Sequence, residues 1–169
     1  MKKLSFSLLL SLLSTALVPL AGKADEESFI KFRVLKPELA IKAAQAAMDD
    51  CRQKGYQVAV SVADRFGVLQ VSLRDQLAGP HTPNTSYRKA WTAVSFRVDT
   101  LELSATAEKG EGWAIRNISK ALPLGGGVRI IAGDGDMVGA IGVSGAPSGA
   151  ADAECAKAGI QAINDQIAF

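Results

Sequence analysis

The sequence predicts an α+β domain, and three observations carry that prediction. Apolar side chains recur at helical spacing both near the start of the main region and at its end. Two pairs of short alternating segments, each joined by a Gly-containing turn, lie between those helices. Hairpins imply antiparallel pairing, and the terminal helices must cover the resulting sheet to bury their apolar stripes.

Taken in order, the chain of 169 residues opens on Met1-Lys2-Lys3 and an uncharged run from Leu4 to Leu20. Gly22 and Ala24 then put small residues at the positions that signal peptidase reads. Residues 1–24 are therefore expected to be a signal peptide cut before Asp25, since the run is shorter than the roughly 20 apolar residues of a bilayer span. Residues 25–36 are polar with scattered Phe and Ile, and are expected to be a mobile lead-in to a domain over 37–169. From Pro37 to Lys54 the spacing of Ala40, Ala44, Ala47, Met48 and Cys51 predicts a helix stopped by Gly55. Gln57–Ala63 and Val68–Arg74 alternate as strands around Asp64-Arg65-Phe66-Gly67. Leu77–Asn84 holds two prolines and a glycine, which should keep its backbone out of a helix, and Thr85–Phe96 reads as the next helix. A short helix is expected around Thr100 to Lys109, and Trp113–Leu124 fits no single element. Val128–Ala132 and Met137–Ser144 form the second hairpin around Gly133-Asp134-Gly135-Asp136. Gly139, Ala140 and Gly142 leave room there for a closely packed helix or a flat ligand. Ser148 can cap a final helix with Ala156, Ile160, Ile163 and Ile167 on one face.

Charge narrows the partners. Removing residues 1–24 takes away Lys2, Lys3 and Lys23, leaving 16 basic residues against 17 acidic ones and a net charge of −1. No basic stripe interleaved with aromatics tracks a phosphate backbone, so nucleic acid is not expected as a partner, nor is a membrane after signal cleavage. Export points to a periplasmic or secreted location, where Cys51 and Cys155 either pair or remain two buried thiols. A bridge would close a loop of about 100 residues, worth roughly 4 to 5 kcal/mol in the chain-entropy model.

His81 is the only imidazole in the chain. A Ser-His-Asp hydrolase would have to use it, but Gly142-Val143-Ser144-Gly145-Ala146 lacks the last glycine of a nucleophile elbow. Ser86-Tyr87-Arg88-Lys89 matches S-x-x-K without its companion motifs. Gly125-Gly126-Gly127 precedes a strand instead of the helix a phosphate cradle needs, and Asp134-Gly135-Asp136 lacks the distal glutamate of a calcium loop. One cluster remains. A loop with His81, followed by Tyr87, Arg88, Lys89 and Trp91, offers an iron ligand, cations for carboxylates and an aromatic wall. Those groups suit a non-covalent haem, with His81 on the metal and Arg88 or Lys89 near the propionates. The same residues could equally place Trp91 in a core and their charges in water. A second reading takes Arg74, Arg88 and Arg129 as anion contacts for a small organic acid or a corrinoid, and a third makes the domain an assembly module without a small ligand.

From about Ala40 to Ala162 the chain resembles the GlcG/HbpS-like family, related to the C-terminal part of PduO proteins. The resemblance rests on Val60-Ser61-Val62-Ala63-Asp64-Arg65-Phe66-Gly67, on Gly79-Pro80-His81-Thr82 with Tyr87-Arg88-Lys89-Ala90-Trp91-Thr92-Ala93, and on Val138–Gly145 before Asp152 and Glu154-Cys155-Ala156-Lys157-Ala158-Gly159. It implies a profilin-like, five-stranded antiparallel sheet flanked by helices, assembled as a homo-oligomer. It also implies haem binding, with haem or iron handling in some members and corrinoids in a related branch. Placing the iron on His81 is an inference from loop chemistry. Carriage, buffering, sensing and breakdown of haem are all compatible with it.

Overall fold

The structure, a computed structural model, describes residues 28–168; the expected signal peptide lies outside them. Residues from Arg33 onward form one compact unit. Its elements are α1 (Pro37–Gln53), β1 (Ala59–Asp64), β2 (Leu69–Arg74), α2 (Thr82–Phe96), α3 (Thr100–Thr106), a 3-10 segment Gly110–Asn117, β3 (Gly127–Ile131), β4 (Met137–Ser144), α4 (Gly149–Gln161) and α5 (Asn164–Ile167). Among the described residues no helix is long and apolar enough to cross a membrane.

Both hairpins form, and β1 pairs with β4 to join them into one antiparallel sheet in the order β2-β1-β4-β3. The alternation of β1 decides the layers. Val58, Val60 and Val62 point to one face, where they meet Ile130, Ile141 and Val143 and the apolar stripes of α1 and α4. Ala59, Ser61 and Ala63 alternate to the other face, and Ala63 packs with Ala90, Ala93 and Val94 of α2. Helices therefore cover both faces, as burying the two stripes requires.

Small residues set how close the layers come. A Cβ on Gly142 would lie 2.0 Å from the Ser86 carbonyl oxygen and 2.8 Å from the Ala90 nitrogen, so the α2 backbone rests directly on β4. The space left by this strand is filled by a helix. On the opposite face Ala40, Ala43, Ala44 and Ala47 are fully buried in the cluster that α4 shares. This close approach brings Cys51 and Cys155 to a Cα–Cα distance of 5.5 Å, and the two are joined by a disulfide across 104 residues.

Several expectations are corrected. The described residues form four strands where the resemblance implies five. Residues 120–122 spend backbone groups on α2 side chains: Leu122 N–H donates to Thr92 Oγ1 at 2.8 Å, and Arg88 reaches the carbonyls of Lys120 and Ala121. Thr82, Pro83 and Asn84 belong to α2 and not to the preceding loop, because a proline in the first helical turn lacks only an N–H that has no intrahelical acceptor. α3 stops at Thr106, and the 3-10 segment that follows buries none of its side chains. The last helix breaks after Gln161 and resumes as α5, although Ile163 and Ile167 still reach the core. Ser148 caps α4 as expected, its side chain accepting from Ala151 N–H at 3.1 Å. Lead-in residues next to the domain are held to it: Arg33 pairs with Asp134, and the Leu35 carbonyl accepts from Gln70 Nε2 at 2.9 Å.

Candidate functional site

Extending α2 back to Thr82 fixes which of its side chains share a face. His81, Thr85 and Arg88 fall at spacings of four and three, and with Lys89 they line one wall of a cleft of about 880 Å³. Opposite them stand Tyr56 and Gln57, which lead into β1, and the stretch Ser144–Gly149 from the end of β4 to the start of α4. Leu77, Leu122 and Leu124 supply the apolar part of the lining.

His81 is exposed and sits at the junction of loop and helix. Its carbonyl accepts from Thr85 N–H at 3.1 Å and from Thr85 Oγ1 at 3.0 Å. The turn before it is closed by Thr82, whose N–H and Oγ1 reach the Gly79 carbonyl at 3.0 and 2.7 Å. Arg74 anchors the start of the loop by donating from Nε to the Ala78 carbonyl at 2.9 Å. The imidazole thus projects from a backbone held on both sides.

Arg88 lines the cleft while two of its nitrogens are engaged: Nε donates to the Lys120 carbonyl at 3.1 Å and Nη2 to the Ala121 carbonyl at 3.0 Å. Lys89 is only 1 % exposed. Its Nζ donates to Asp152 Oδ2 at 2.7 Å and to the Val143 carbonyl at 3.0 Å beneath the cleft. Burial pulls the Lys89 pKa below its ordinary value against the upward pull of Asp152, and burial raises that of Asp152 against the pull of Lys89. Geometry favours a charged pair, since Asp152 Oδ1 also accepts from Ala146 N–H at 2.9 Å. Lys89 therefore ties α2 to β4 and α4, with its charge already neutralised.

Tyr87 and Trp91 lie on another face of α2. The Tyr87 hydroxyl donates to the Gly67 carbonyl at 3.0 Å, and Trp91 packs so closely over Gly67 that a Cβ there would lie 2.9 Å from its Cδ1. Both aromatics brace the turn between β1 and β2, and neither lines the cleft. The structure thus brings His81 and Arg88 together, places Lys89 under them and turns Tyr87 and Trp91 away. Sequence reasoning missed Tyr56, Gln57 and Thr85. Helical phase signals Thr85 once the helix begins at Thr82, whereas Tyr56 and Gln57 come from a distant turn that no local pattern connects to α2.

The three arginines of the anion reading do not converge. Arg74 serves the loop carbonyls, and Arg129 pairs with Asp99 at 2.9 Å beside the Arg97 carbonyl. Among the described residues no three His, Cys, Asp or Glu side chains are grouped to hold a metal ion.

Comparison with known proteins bears on this cleft. Residues 35–161 match the model of a family described as haem degrading protein HbpS-like. A double mutant of HbpS from Streptomyces reticuli is 37 % identical, with a TM-score of 0.76 covering 87 % of this chain and 97 % of that one. A solved PduOC:heme complex is 30 % identical, with a TM-score of 0.69 over 78 % of this chain and 96 % of the other. The corrinoid adenosyltransferase PduO of Salmonella typhimurium is 32 % identical over 123 residues, 71 % of this chain but 36 % of that protein, so the chain spans about a third of that relative's length.

Proposed function

Because the chain belongs to the HbpS-like haem-degrading family, we propose that it binds haem non-covalently in the cleft beside α2, as an exported carrier, buffer or sensor accessory. The observation that carries this reading is the sole histidine on the lip of a cleft whose volume lies within the roughly 300–1,000 Å³ of ligand pockets. The residues present fit the group: an imidazole for iron, leucine side chains for a flat apolar face, and Arg88 beside them for a carboxylate. Haem, when bound, supplies a redox-active iron. His81 would hold that iron, Leu77, Leu122 and Leu124 would line the apolar part of the macrocycle's seat, and Arg88 would orient an acidic substituent. Tyr87 and Lys89 act indirectly, by fixing α2. The haem found with the PduOC relative supports the ligand class.

Export is part of the proposal. A cut after Ala24 and a periplasmic or secreted location agree with a disulfide that joins α1 to α4, since such bridges persist in oxidising compartments. A homo-oligomer is proposed from the family resemblance. The corrinoid reading is favoured by the PduO match alone, and the dispersed arginines weigh against its anion contacts.

Titration of the purified protein with haemin, followed at the Soret band, tests the reading. Saturation near one haem per chain is expected, with a shifted band and weaker binding in His81→Ala. Unchanged binding by that variant removes His81 from the site. Saturation by hydroxocobalamin but not by haemin transfers the cleft to the corrinoid reading. Loss of the Soret band on adding ascorbate would show that bound haem is also broken down.

A further inference from the structure

The imidazole of His81 lies edge-on against Gly79, two residues earlier. A Cβ built on Gly79 would stand 2.7 Å from His81 Cε1 and 2.9 Å from Nδ1, both inside any real contact, while Nε2 is 3.8 Å away. The edge between Nδ1 and Cε1 therefore occupies the space where every other residue type has a side chain, and Nε2 is the ring nitrogen set further from Gly79. Glycine is not demanded by the backbone: Gly79 is absent from the positive-φ positions, so alanine fits its conformation. Nor is the turn loose, because its ends are tied by Thr82 to the Gly79 carbonyl and by Arg74 to the Ala78 carbonyl. Both Gly79 and His81 line the cleft.

We infer that Gly79 is the positioning residue for the histidine: its missing side chain lets the ring dock on the loop and present Nε2 to the iron of a haem. The inference rests on the haem reading, but its geometric half stands without it. Docking restricts the ring before any ligand arrives, so less side-chain freedom is lost on coordination. It also sets which nitrogen ligates, a choice usually made by a hydrogen bond to the other nitrogen. Here a steric seat makes that choice. A Cβ at position 79 would displace an exposed side chain at little cost to the fold, and so separates ring placement from stability.

Gly79→Ala, compared with the native protein and His81→Ala, tests this. With a single histidine in the chain, the imidazole resonances need no further assignment. In the ligand-free protein a nuclear Overhauser effect between His81 Hε1 and the Gly79 Hα protons is expected; its absence overturns the inference whatever haem does. In haemin titration Gly79→Ala should melt within about 2 °C of native yet bind about 10- to 100-fold more weakly, the span typical of lost outer-shell support. Its Soret position should move towards that of His81→Ala. Native affinity and a native Soret band in Gly79→Ala would overturn the positioning role. If the native protein itself shows no saturable haemin binding, the haem reading fails, and the Overhauser measurement still decides the seat.

Discussion

Burying Lys89 against Asp152 takes two charges out of water, and the pair holds only because each finds its partner and a second polar contact. Removing one partner leaves the other uncompensated, so Lys89→Met should lower unfolding free energy by about 3–5 kcal/mol in urea titrations. Adding Asp152→Leu to that variant should recover much of the loss, a coupling that a double-mutant cycle reads directly. At the second hairpin the sign of a pH effect follows from Asp134, whose carboxyl is held below its ordinary value by the Asp136 backbone N–H and then by Arg33. A depressed folded-state pKa stabilises above the unfolded value of 3.8, and that contribution is lost as pH falls through the lower folded one. The difference in urea midpoint between native protein and Asp134→Asn should therefore shrink below pH 3.8. Of these residues, His81 was legible as a candidate because it is the only imidazole. The burial of Lys89 was not, although Ser86 three residues before it and Ala93 four after it mark a face too small and apolar for solvent.

Helix α2 decides the site because it sets the phase of every side chain on the cleft wall. A start at Thr85, which two prolines taken as breakers suggest, separates His81 from the helix by three residues and hides its alignment with Thr85 and Arg88. Pro83 is instead compatible with the first turn, and Pro80 lies in the turn before it. Both hairpins and α1 were legible, because period-two alternation and alanine spacing are local signals that the final packing agrees with. The stretch 120–122 was not, because its backbone is held by α2 side chains some 30 residues away in sequence. The seat of α2 on β4 makes its own prediction. Gly142→Ala drives a Cβ into the Ser86 carbonyl, where neither backbone can yield, and should destabilise by at least the roughly 1–3 kcal/mol of an overpacked core. Thermal melts of that variant would check it, with weaker haemin binding expected as α2 lifts.

At the scale of the whole domain, the two hairpins are far apart in the chain and adjacent in the sheet, so the β1–β4 pairing and the α1–α4 contact close it. Sequence spacing left the cysteines either paired or apart, since nothing local says that the first and last long helices touch. Alanines on one helix and Gly159 on the other make that contact: a Cβ at Gly159 would stand 2.4 Å from the Ala43 carbonyl oxygen. Cys51→Ala with Cys155→Ala should cost about 2–5 kcal/mol in guanidinium unfolding. The bridge has another consequence. The 3-10 segment Gly110–Asn117 buries no side chain, and Lys109, Arg116 and Lys120 stand in or beside it, a natural place for trypsin to nick the native chain. Such a cut falls between the two cysteines, and each half keeps one strand of the central β1–β4 pair. A nicked molecule would thus migrate as one species on a non-reducing gel and as two fragments after reduction, having lost an open peptide bond but not its covalent continuity.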